Sequence, residues 1–264
     1  MSDIRLGVIA GEFKPVTHLK NISPIWKGPL LLDTKIMAPN CWLKAVTLPE
    51  LVLECFGHLL AKESGLPFLT PIVVTDPMNV LKSPSKFFFA TEDAKSPSLR
   101  QLTVNYPAFK SIYYSALKAW GEAPTLAVLD ELLANGDRNT GNLLFDGKNK
   151  WIPIDFSRAK GVPAAPAPSW DGTEIRLDIK PPNHLIEFFQ VLDDANVRNA
   201  LKRVDNARLF LSVMQHFAGL PVPGCESIAQ RLTVWTQDRR AWSLRRLLGE
   251  RLVAIFGTSK AIAS

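Results

Sequence analysis

The stretch Asn135–Ser157, NGDRNTGNLLFDGKNKWIPIDFS, determines how the rest of the chain is interpreted. It opens with a polar loop, followed by two apolar segments, Leu143–Phe145 and Trp151–Ile154, on either side of Asp146 and Gly147. An Asp-Gly pair between apolar segments predicts a β-hairpin, because both residue types tolerate the positive φ angles of a tight turn. A hairpin would bring the loop before its first strand close to the residue that follows its second strand.

Three polar residues lie at the open end of this predicted hairpin. Asp137 and Asn142 precede the first strand, and Asp155 follows the second. One carboxylate can act as a general base, while the other two side chains offer oxygen ligands to Mg²⁺, which binds few carboxylates together with substrate phosphates. The order resembles the protein-kinase pattern D-x-x-x-x-N, a strand, then D-F-G. The alternative interpretation is a polar surface hairpin, in which these are ordinary turn residues.

The segments D-R-N-T-G-N and I-D-F-S resemble the catalytic core of the HipA-like kinases and of the phosphatidylinositol 3/4-kinases, whose loops read D-R-x-x-x-N followed by I-D-F. The resemblance implies that Asp137 orients an acceptor hydroxyl and takes its proton. It also implies that Asn142 and Asp155 hold magnesium on the phosphates of ATP. Arg138 would pair with a phosphate or with a loop carboxylate, or else be an exposed loop arginine. Ser157 replaces the glycine of D-F-G.

A lysine in the first part of the chain extends the pattern. Residues 30–35 and 41–46 are predicted to form a hairpin with its turn at 36–40, and Lys44 lies in the second strand. In a kinase-like fold such a lysine binds the α- and β-phosphates of ATP as a compact charge. A strand-edge lysine that faces solvent is the alternative.

The segment 49–64 has helical periodicity and ends before Gly65, as expected for a helix C-terminus. The helix carries two glutamates that could orient the lysine, Glu50 and Glu54. Its ending, L-A followed by G-L-P, resembles the same helix in HipA-like kinases, where the glutamate lies eleven residues before the glycine. The resemblance therefore points to Glu54 and favours the HipA-like kinases over the lipid kinases.

The nucleotide site is less well defined by the sequence. Strands are predicted at 68–74 and 86–91, and at least two of the three phenylalanines in the second are expected in the core. The resemblance implies a hinge after this strand, where backbone groups at Phe89 and Ala90 would hold adenine. The chain has no G-x-G-x-x-G motif. The polar loop Thr17–Ser23 is either a substitute that binds phosphate, with Ser23 as a candidate ligand, or an ordinary loop.

The second part of the chain is predicted to be mainly helical. Helices are expected at Ala108–Trp120 and Thr125–Ala134, and the second should be buried because apolar residues line one side of it. A proline-containing irregular segment, Lys160–Asn183, would receive the acceptor, and its Ser169 and Thr173 are either self-phosphorylation sites or plain loop residues. Further helices are predicted at 183–193, 195–217, 224–237 and 239–256.

The last two of these helices carry a cluster of arginines between residues 230 and 251. Such a cluster would dock an acidic protein or RNA, or it would simply form solvated helix faces. Trp235 and Trp242 are expected to pack in the core rather than to stack on bases.

Composition places limits on the class of protein. The chain has 264 residues, of which 47% are hydrophobic and 21% charged, as in ordinary globular domains, and its net charge is +6. It has no apolar run long enough to span a bilayer, and the charged Asp3, Arg5 and Glu12 among its first apolar residues are not expected in a secretory signal. Its three cysteines form no C-x-x-C pair, which favours a reducing, cytoplasmic location and argues against a disulfide framework or a zinc site.

Together these observations predict an α+β, two-lobed protein-kinase-like fold in one domain, with a strand-rich N-lobe at 1–92 and a helical C-lobe at 93–264. The expected function is ATP- and Mg²⁺-dependent phosphoryl transfer to a serine or threonine hydroxyl of a protein. A small-molecule or lipid kinase and a catalytically silent binding module are the alternatives. The HipA-like kinases include toxins of bacterial toxin–antitoxin systems, which implies an antitoxin or regulatory partner. No membrane association and no direct contact with nucleic acid are expected.

Overall fold

The computed structural model describes residues 3–16, 24–148, 150–157, 185, 194–204 and 207–237. Within these ranges six strands form one sheet in the order β1-β5-β6-β4-β3-β2. The strands are β1 Arg5–Ile9, β2 Lys14–Pro15, β3 Ile25–Leu32, β4 Ile36–Val46, β5 Ile72–Thr75 and β6 Phe87–Glu92. Strand β1 pairs in parallel with β5 and antiparallel with β3, and this double pairing closes the sheet into a small barrel.

The interior of the barrel is apolar and sets the direction of Lys44. Leu43 and Ala45 of β4 are buried in the barrel core, together with Leu30 and Phe88. Because side chains alternate along a strand, Lys44 lies on the opposite side of β4 from its two neighbours. Alternation of apolar and polar residues thus turns the lysine out of the barrel.

The hairpin of β3 and β4 differs from its prediction. Residues 36–40 were expected as the turn, but they belong to β4, and the turn is formed by Asp33 and Thr34 with φ angles of 47° and 60°. The sequence Pro-Asn at 39–40 suggested a turn because proline cannot donate to a sheet. Pro39 instead lies in a β-bulge, where the register shifts between Gly28 and Leu30 of β3, and no regular ladder bond is required of it.

Helix α1, Leu48–Glu63, begins where the sequence predicted a helix. The Thr47 hydroxyl accepts a hydrogen bond from the Glu50 backbone, while the Glu50 carboxylate accepts one from the Thr47 backbone at 2.7 Å, which forms a capping box. Every residue from Leu51 to Ala61 is buried. The helix therefore lies within the core, where it packs with side chains of the barrel and of the later helices.

The C-terminal part is largely helical, and its elements follow the prediction in most places. The helices are α2 Leu99–Asn105, α3 Lys110–Ala119, α4 Ala123–Leu132, α5 Asp194–Val204, α6 Ala207–Gln215 and α7 at 225–237. Helix α2 was not predicted, and the helix expected at 195–217 is helical at 194–204 and 207–215, with residues 205–206 outside the described residues. Helix α4 is buried along its whole length, as its leucines indicated.

The predicted hairpin after the polar loop is confirmed. Strands β7 Leu143–Phe145 and β8 Trp151–Pro153 pair antiparallel, and a short 3₁₀ helix at Thr140–Asn142 leads into β7. Of the Asp-Gly pair only Gly147 has a positive φ, 79°. The Asp146 carboxylate closes the connection instead, since it accepts hydrogen bonds from the backbone N–H groups of Lys148 and Lys150.

Several predictions lie outside the described residues. They concern the loop Thr17–Ser23 with Ser23, the segment Lys160–Asn183 with Ser169 and Thr173, the helices 183–193 (Leu185 apart) and 239–256, and Trp242. Among the helices that are described, none is long and apolar enough to cross a membrane.

Candidate active site

Lys44 is the centre of a buried polar cluster between the barrel, helix α1 and the segment after β8. Its Nζ donates hydrogen bonds to Glu54 Oε1 at 3.2 Å, to Asp155 Oδ1 at 2.8 Å and to Ser157 Oγ at 2.7 Å. Burial acts to lower the pKa of Lys44, but the negative charges of Glu54 and Asp155 outweigh it and hold the pKa above its usual range. The lysine is therefore a fixed positive charge.

Glu54, and not Glu50, pairs with this lysine. Glu50 is engaged in the capping box of α1, one turn before Glu54. The second oxygen of Glu54, Oε2, accepts a hydrogen bond from the backbone N–H of Phe156 at 2.7 Å. Burial raises the pKa of Glu54 to about 7, although the charge of Lys44 lowers it. This glutamate joins the lysine strand to the segment that carries Asp155.

Asp155, two residues after the end of β8, has a left-handed backbone conformation with φ 59°, which is unusual for a residue other than glycine. Burial acts to raise the pKa of its carboxyl, but Lys44 and the hydroxyl of Ser157 outweigh it and hold the pKa below its usual range. The Ser157 hydroxyl donates to Asp155 Oδ1 at 2.8 Å. Asp155 is therefore a carboxylate, held by two neighbours on one oxygen.

Ser157 is a member of this cluster that the sequence did not single out for a role. Its oxygen accepts from Lys44 and its hydroxyl donates to Asp155, so it bridges the lysine and the carboxylate. The signal was present in the sequence as a serine at the position of the third residue of D-F-G. A glycine there would offer no side chain for either contact.

Asp137 and Asn142 lie on the loop in front of β7. The Asn142 side chain donates from Nδ2 to the backbone oxygen of Asp137 at 2.8 Å, so its Oδ1 is the atom available to a ligand. The backbone oxygen of Asn142 accepts from the N–H of Ile154 at 3.1 Å, directly before Asp155. The hairpin thus brings Asn142 next to the segment of Asp155, as its turn signal predicted.

Arg138 contacts none of the groups predicted for it, a phosphate or a loop carboxylate, and it is not exposed. It is buried, and its guanidinium binds both oxygens of Asp130 on helix α4, with Nε 3.0 Å from Oδ2 and Nη2 3.0 Å from Oδ1. Its Nη1 donates to the backbone oxygens of Asn142 at 3.1 Å and Ile154 at 2.5 Å. The arginine is neither exposed nor available to a phosphate, and it fixes the two ends of the hairpin to α4.

Phe156 packs directly against helix α1. A Cβ atom added at Gly57 would lie 2.2 Å from Phe156 Cγ, so only glycine allows this approach. His58 lies between Phe156 and Phe89, with ring centroids 5.2 Å and 5.5 Å apart. Burial, followed by the charge of Arg138, lowers the pKa of His58 to about 3, so the ring packs as a neutral group.

The predicted hinge strand is β6, next to the lysine strand. Phe89 and Ala90 pair with Lys44 and Leu43 of β4, respectively. Phe88 and Phe89 are buried in the two cores on opposite sides of the strand, which confirms the expectation that most of the phenylalanine run is core. Phe89 and Ala90 also pair with Val73 and Ile72 of β5, so β6 is paired on both sides at these residues. Their backbone groups lie inside the sheet, and the expectation that they hold adenine is corrected to the end of the strand, towards Glu92.

The donor set of this cluster suits a cation. The carboxyl groups of Glu54 and Asp155 both face a single ammonium group, Lys44, and the Asp155 side chain is 33% exposed, so it is accessible to a ligand. Carboxylate and amide oxygens are the ligands that Mg²⁺ prefers, and Asp155 and Asn142 offer one of each type at the open end of the hairpin. The residues present therefore fit a magnesium ion beside a phosphate.

Neither a protein-family model nor a curated protein sequence matches this chain. Among solved structures, the chain is similar to the Helicobacter pylori proinflammatory kinase CtkA, with a TM-score of 0.55 and 14% sequence identity. The match covers 88% of this chain and 92% of that chain. The chain has a kinase-like fold of mixed α and β content.

Proposed function

We propose that this chain is an ATP- and Mg²⁺-dependent phosphotransferase of the HipA-like type that phosphorylates serine or threonine hydroxyls of proteins. The observation that carries the proposal is the cluster in which Lys44 contacts both Glu54 and Asp155. These residues are 10 and 111 positions from the lysine in the chain. A kinase requires this lysine, a glutamate from the helix after its strand and an aspartate after the catalytic hairpin.

The proposed roles follow from charge and position. Lys44 would hold the α- and β-phosphates, with Glu54 fixing its direction. Asn142 and Asp155 would bind magnesium, which when bound neutralises the negative charge of the phosphates. Backbone groups at the end of β6, towards Glu92, would hold adenine, because Phe89 and Ala90 are paired with strands on both sides. Asp137, part-exposed on the loop, would orient the acceptor hydroxyl and take its proton.

The geometry also supports a site that is assembled without a flip of Phe156. The backbone N–H of Phe156 is bonded to Glu54, and its ring fills the space over Gly57. Both contacts hold Asp155 beside Lys44. We therefore propose that Lys44, Glu54 and Asp155 already have their binding arrangement before the nucleotide binds.

The test is transfer of label from γ-labelled ATP with Mg²⁺ to the chain itself and to a cell lysate. Asp137→Asn should lower transfer by about 10²–10⁴-fold, the usual contribution of a general base. Glu226→Gln, which changes an exposed carboxylate on α7, is the matched control and should transfer like wild type. Transfer that survives Asp137→Asn unchanged would contradict the mechanism.

The acceptor class needs separate arms of the same assay. Sugars, small alcohols and inositol lipids are offered beside the protein lysate. Label on serine or threonine of a lysate protein supports the proposal, while label on a lipid or small alcohol replaces it by the lipid or small-molecule kinase. Binding of ATP with Mg²⁺ but no transfer to any acceptor would favour a catalytically silent binding module.

A further inference from the structure

The surface around the connection between α2 and α3 is unusually apolar. Every residue from 104 to 112 is exposed. Four apolar or aromatic side chains in this run are more than half exposed: Val104 at 68%, Tyr106 at 54%, Phe109 at 51% and Ile112 at 59%. Single exposed apolar residues are common, but a cluster of four within nine residues marks a surface that another molecule covers.

This surface is firmly attached to the hairpin of the candidate active site. On the inner side of α3, Tyr113 packs edge to face on Phe145 of β7, and Phe145 packs on Trp151 of β8. The backbone N–H of Phe145 donates to Pro97, just before α2, at 2.9 Å. A molecule bound on the outer side would therefore be held at a fixed position relative to the hairpin.

Helix α2 also reaches the loop that carries Asp137 and Asn142. A Cβ atom added at Gly141 would lie 3.9 Å from Cδ of Arg100, so the arginine side chain extends over that loop. The apolar surface consequently begins beside the position where an acceptor hydroxyl would be placed. Its location suits a substrate-docking surface better than a contact remote from the reaction.

The charge of the same segment is of one sign. Residues 99–121 contain Arg100, Lys110 and Lys118 and no aspartate or glutamate, and all three cations are exposed. Lys110 directly follows the exposed Phe109, and its Nζ lies 5.5 Å from the centre of the part-buried Tyr114 ring. An apolar surface with only positive charges is complementary to an apolar segment that carries acidic residues.

We infer that the face formed by Arg100, Val104, Tyr106, Phe109, Lys110 and Ile112, here called the α2–α3 face, docks an acidic, apolar segment of the protein acceptor. The inference rests on the proposed kinase function and names the class of its substrate. A single-stranded RNA fits less well, because Val104 and Ile112 offer no flat surface for stacking. A membrane fits less well, because three cations contribute little to binding and the loop of Asp137 must remain accessible to an acceptor.

The first experiment measures docking without any transfer of phosphate. A fluorescein-labelled synthetic peptide of alternating glutamate, leucine and phenylalanine is titrated with the protein, and its anisotropy is followed. One matched peptide carries lysine in place of each glutamate, and another carries serine in place of each leucine and phenylalanine. The acidic apolar peptide should bind about tenfold more tightly than either.

The site is then located with paired variants. Phe109→Ser/Ile112→Ser should weaken binding of the acidic peptide by about tenfold, and Lys110→Glu should weaken it further at low salt. Ile36→Ser/Met37→Ser is the matched control, because it changes two equally exposed apolar residues on the barrel and should leave binding unchanged. Equal loss in both double variants, or no preference among the peptides, would overturn the inference.

Transfer separates this inference from the proposed function. With dephosphorylated casein as a generic acidic acceptor, Phe109→Ser/Ile112→Ser should lower kcat/KM by about tenfold and leave the affinity for ATP unchanged. If the wild-type protein bound the acidic peptide but transferred no phosphate, the proposed kinase function would be contradicted and the docking inference would stand. Transfer with no effect of the double variant would keep the kinase and contradict the docking face. Binding to phosphatidylglycerol vesicles without peptide binding would identify a membrane surface instead.

Discussion

Two ion clusters support the catalytic hairpin of this fold, and they are built in opposite ways. In the first, one ammonium group, Lys44, faces the two carboxylates of Glu54 and Asp155. In the second, one guanidinium, Arg138, faces the single carboxylate of Asp130, and both side chains are fully buried. The first cluster includes the part-exposed carboxylate of Asp155 at the open end of a hairpin, whereas the second pairs one positive with one negative charge out of contact with solvent.

The contrast separates a site for a ligand from a structural support. Arg138 gives its donors to Asp130 and to the backbone oxygens of Asn142 and Ile154, all of them groups of the protein. In the cluster of Lys44, by contrast, the part-exposed carboxylate of Asp155 has oxygen atoms that can bind a cation. Arg138, which directly follows Asp137 in the loop, is therefore a structural residue, whereas the proposed function gives Asp137 a role at the acceptor. The comparison can be tested by changing one member of each cluster.

The largest expected effect on stability comes from Arg138→Met. The change leaves the buried carboxylate of Asp130 without its positively charged neighbour, although the side-chain amide of Asn135 still donates to it. We expect a loss of about 3–5 kcal/mol in the free energy of unfolding, measured by urea denaturation. Arg231→Met, at an exposed position on α7, should stay near wild type. In the double variant Asp130→Leu/Arg138→Met the loss should be smaller than the sum of the two single losses. Additive losses would mean that the pair is not the source of the effect.

Lys44→Met should affect activity far more than stability. We expect phosphate transfer to fall by about 10²–10³-fold, as when a fixed charge at a reaction centre is removed. The loss of unfolding free energy should be smaller than for Arg138→Met, because Glu54, with a pKa of about 7, takes up a proton once the lysine charge is gone.

The control for this variant is Lys35→Met, an exposed lysine just after the turn of the β3–β4 hairpin. Transfer and urea denaturation are measured on the same preparations. If Lys44→Met lost as much unfolding free energy as Arg138→Met, the Lys44 cluster would be a structural support like the Arg138 cluster.

Gly57→Ala should disturb Phe156, which connects the two clusters: its backbone N–H donates to Glu54, and the centre of its ring lies 4.7 Å from the guanidinium carbon of Arg138. The added methyl group would meet the Phe156 ring at 2.2 Å, and we expect a loss of about 1–3 kcal/mol together with weaker transfer, because Asp155 moves with its neighbour. Gly121→Ala is the control, since that glycine has no neighbour within 4 Å and no positive φ. The double variant Gly57→Ala/Phe156→Leu should recover part of the lost stability, because leucine at position 156 is smaller than the ring that the added methyl group meets. Full stability of Gly57→Ala would contradict the close packing.

The smallest effect is expected for Ser157→Ala. The variant loses the hydroxyl that bridges Lys44 and Asp155, and each such hydrogen bond contributes about 1 kcal/mol. Transfer should fall by roughly tenfold or less, with KM for ATP and kcat both measured. Ser115→Ala, on the exposed side of α3, should have no effect. A Ser157→Ala enzyme as fast as wild type would mean that Lys44 alone positions Asp155.

The sequence by itself determined which local helices and strands form and which polar residues lie on them or next to them. The hairpin of β7 and β8, the capped helix α1 and the buried helix α4 follow from turn residues, capping residues and apolar periodicity, which act over short distances in the chain. The candidate residues Lys44, Asp137, Asn142 and Asp155 were found in the same way, from their positions on those elements. The prediction was wrong at 36–40, because a proline in a bulge carries the same local signal as a proline in a turn.

Only the tertiary structure decided which of these residues meet. The burial of Arg138 against Asp130, the bridge of Ser157 and the need for glycine at position 57 depend on contacts between elements, whereas Glu54 was already indicated by the helix ending and the structure only supplies its contact with Lys44. The contact between Phe156 and Glu54 joins residues 102 positions apart, and no local pattern encodes such a pair. Side chains of the same type are interchangeable in a sequence pattern, whereas packing gives each of them one set of neighbours.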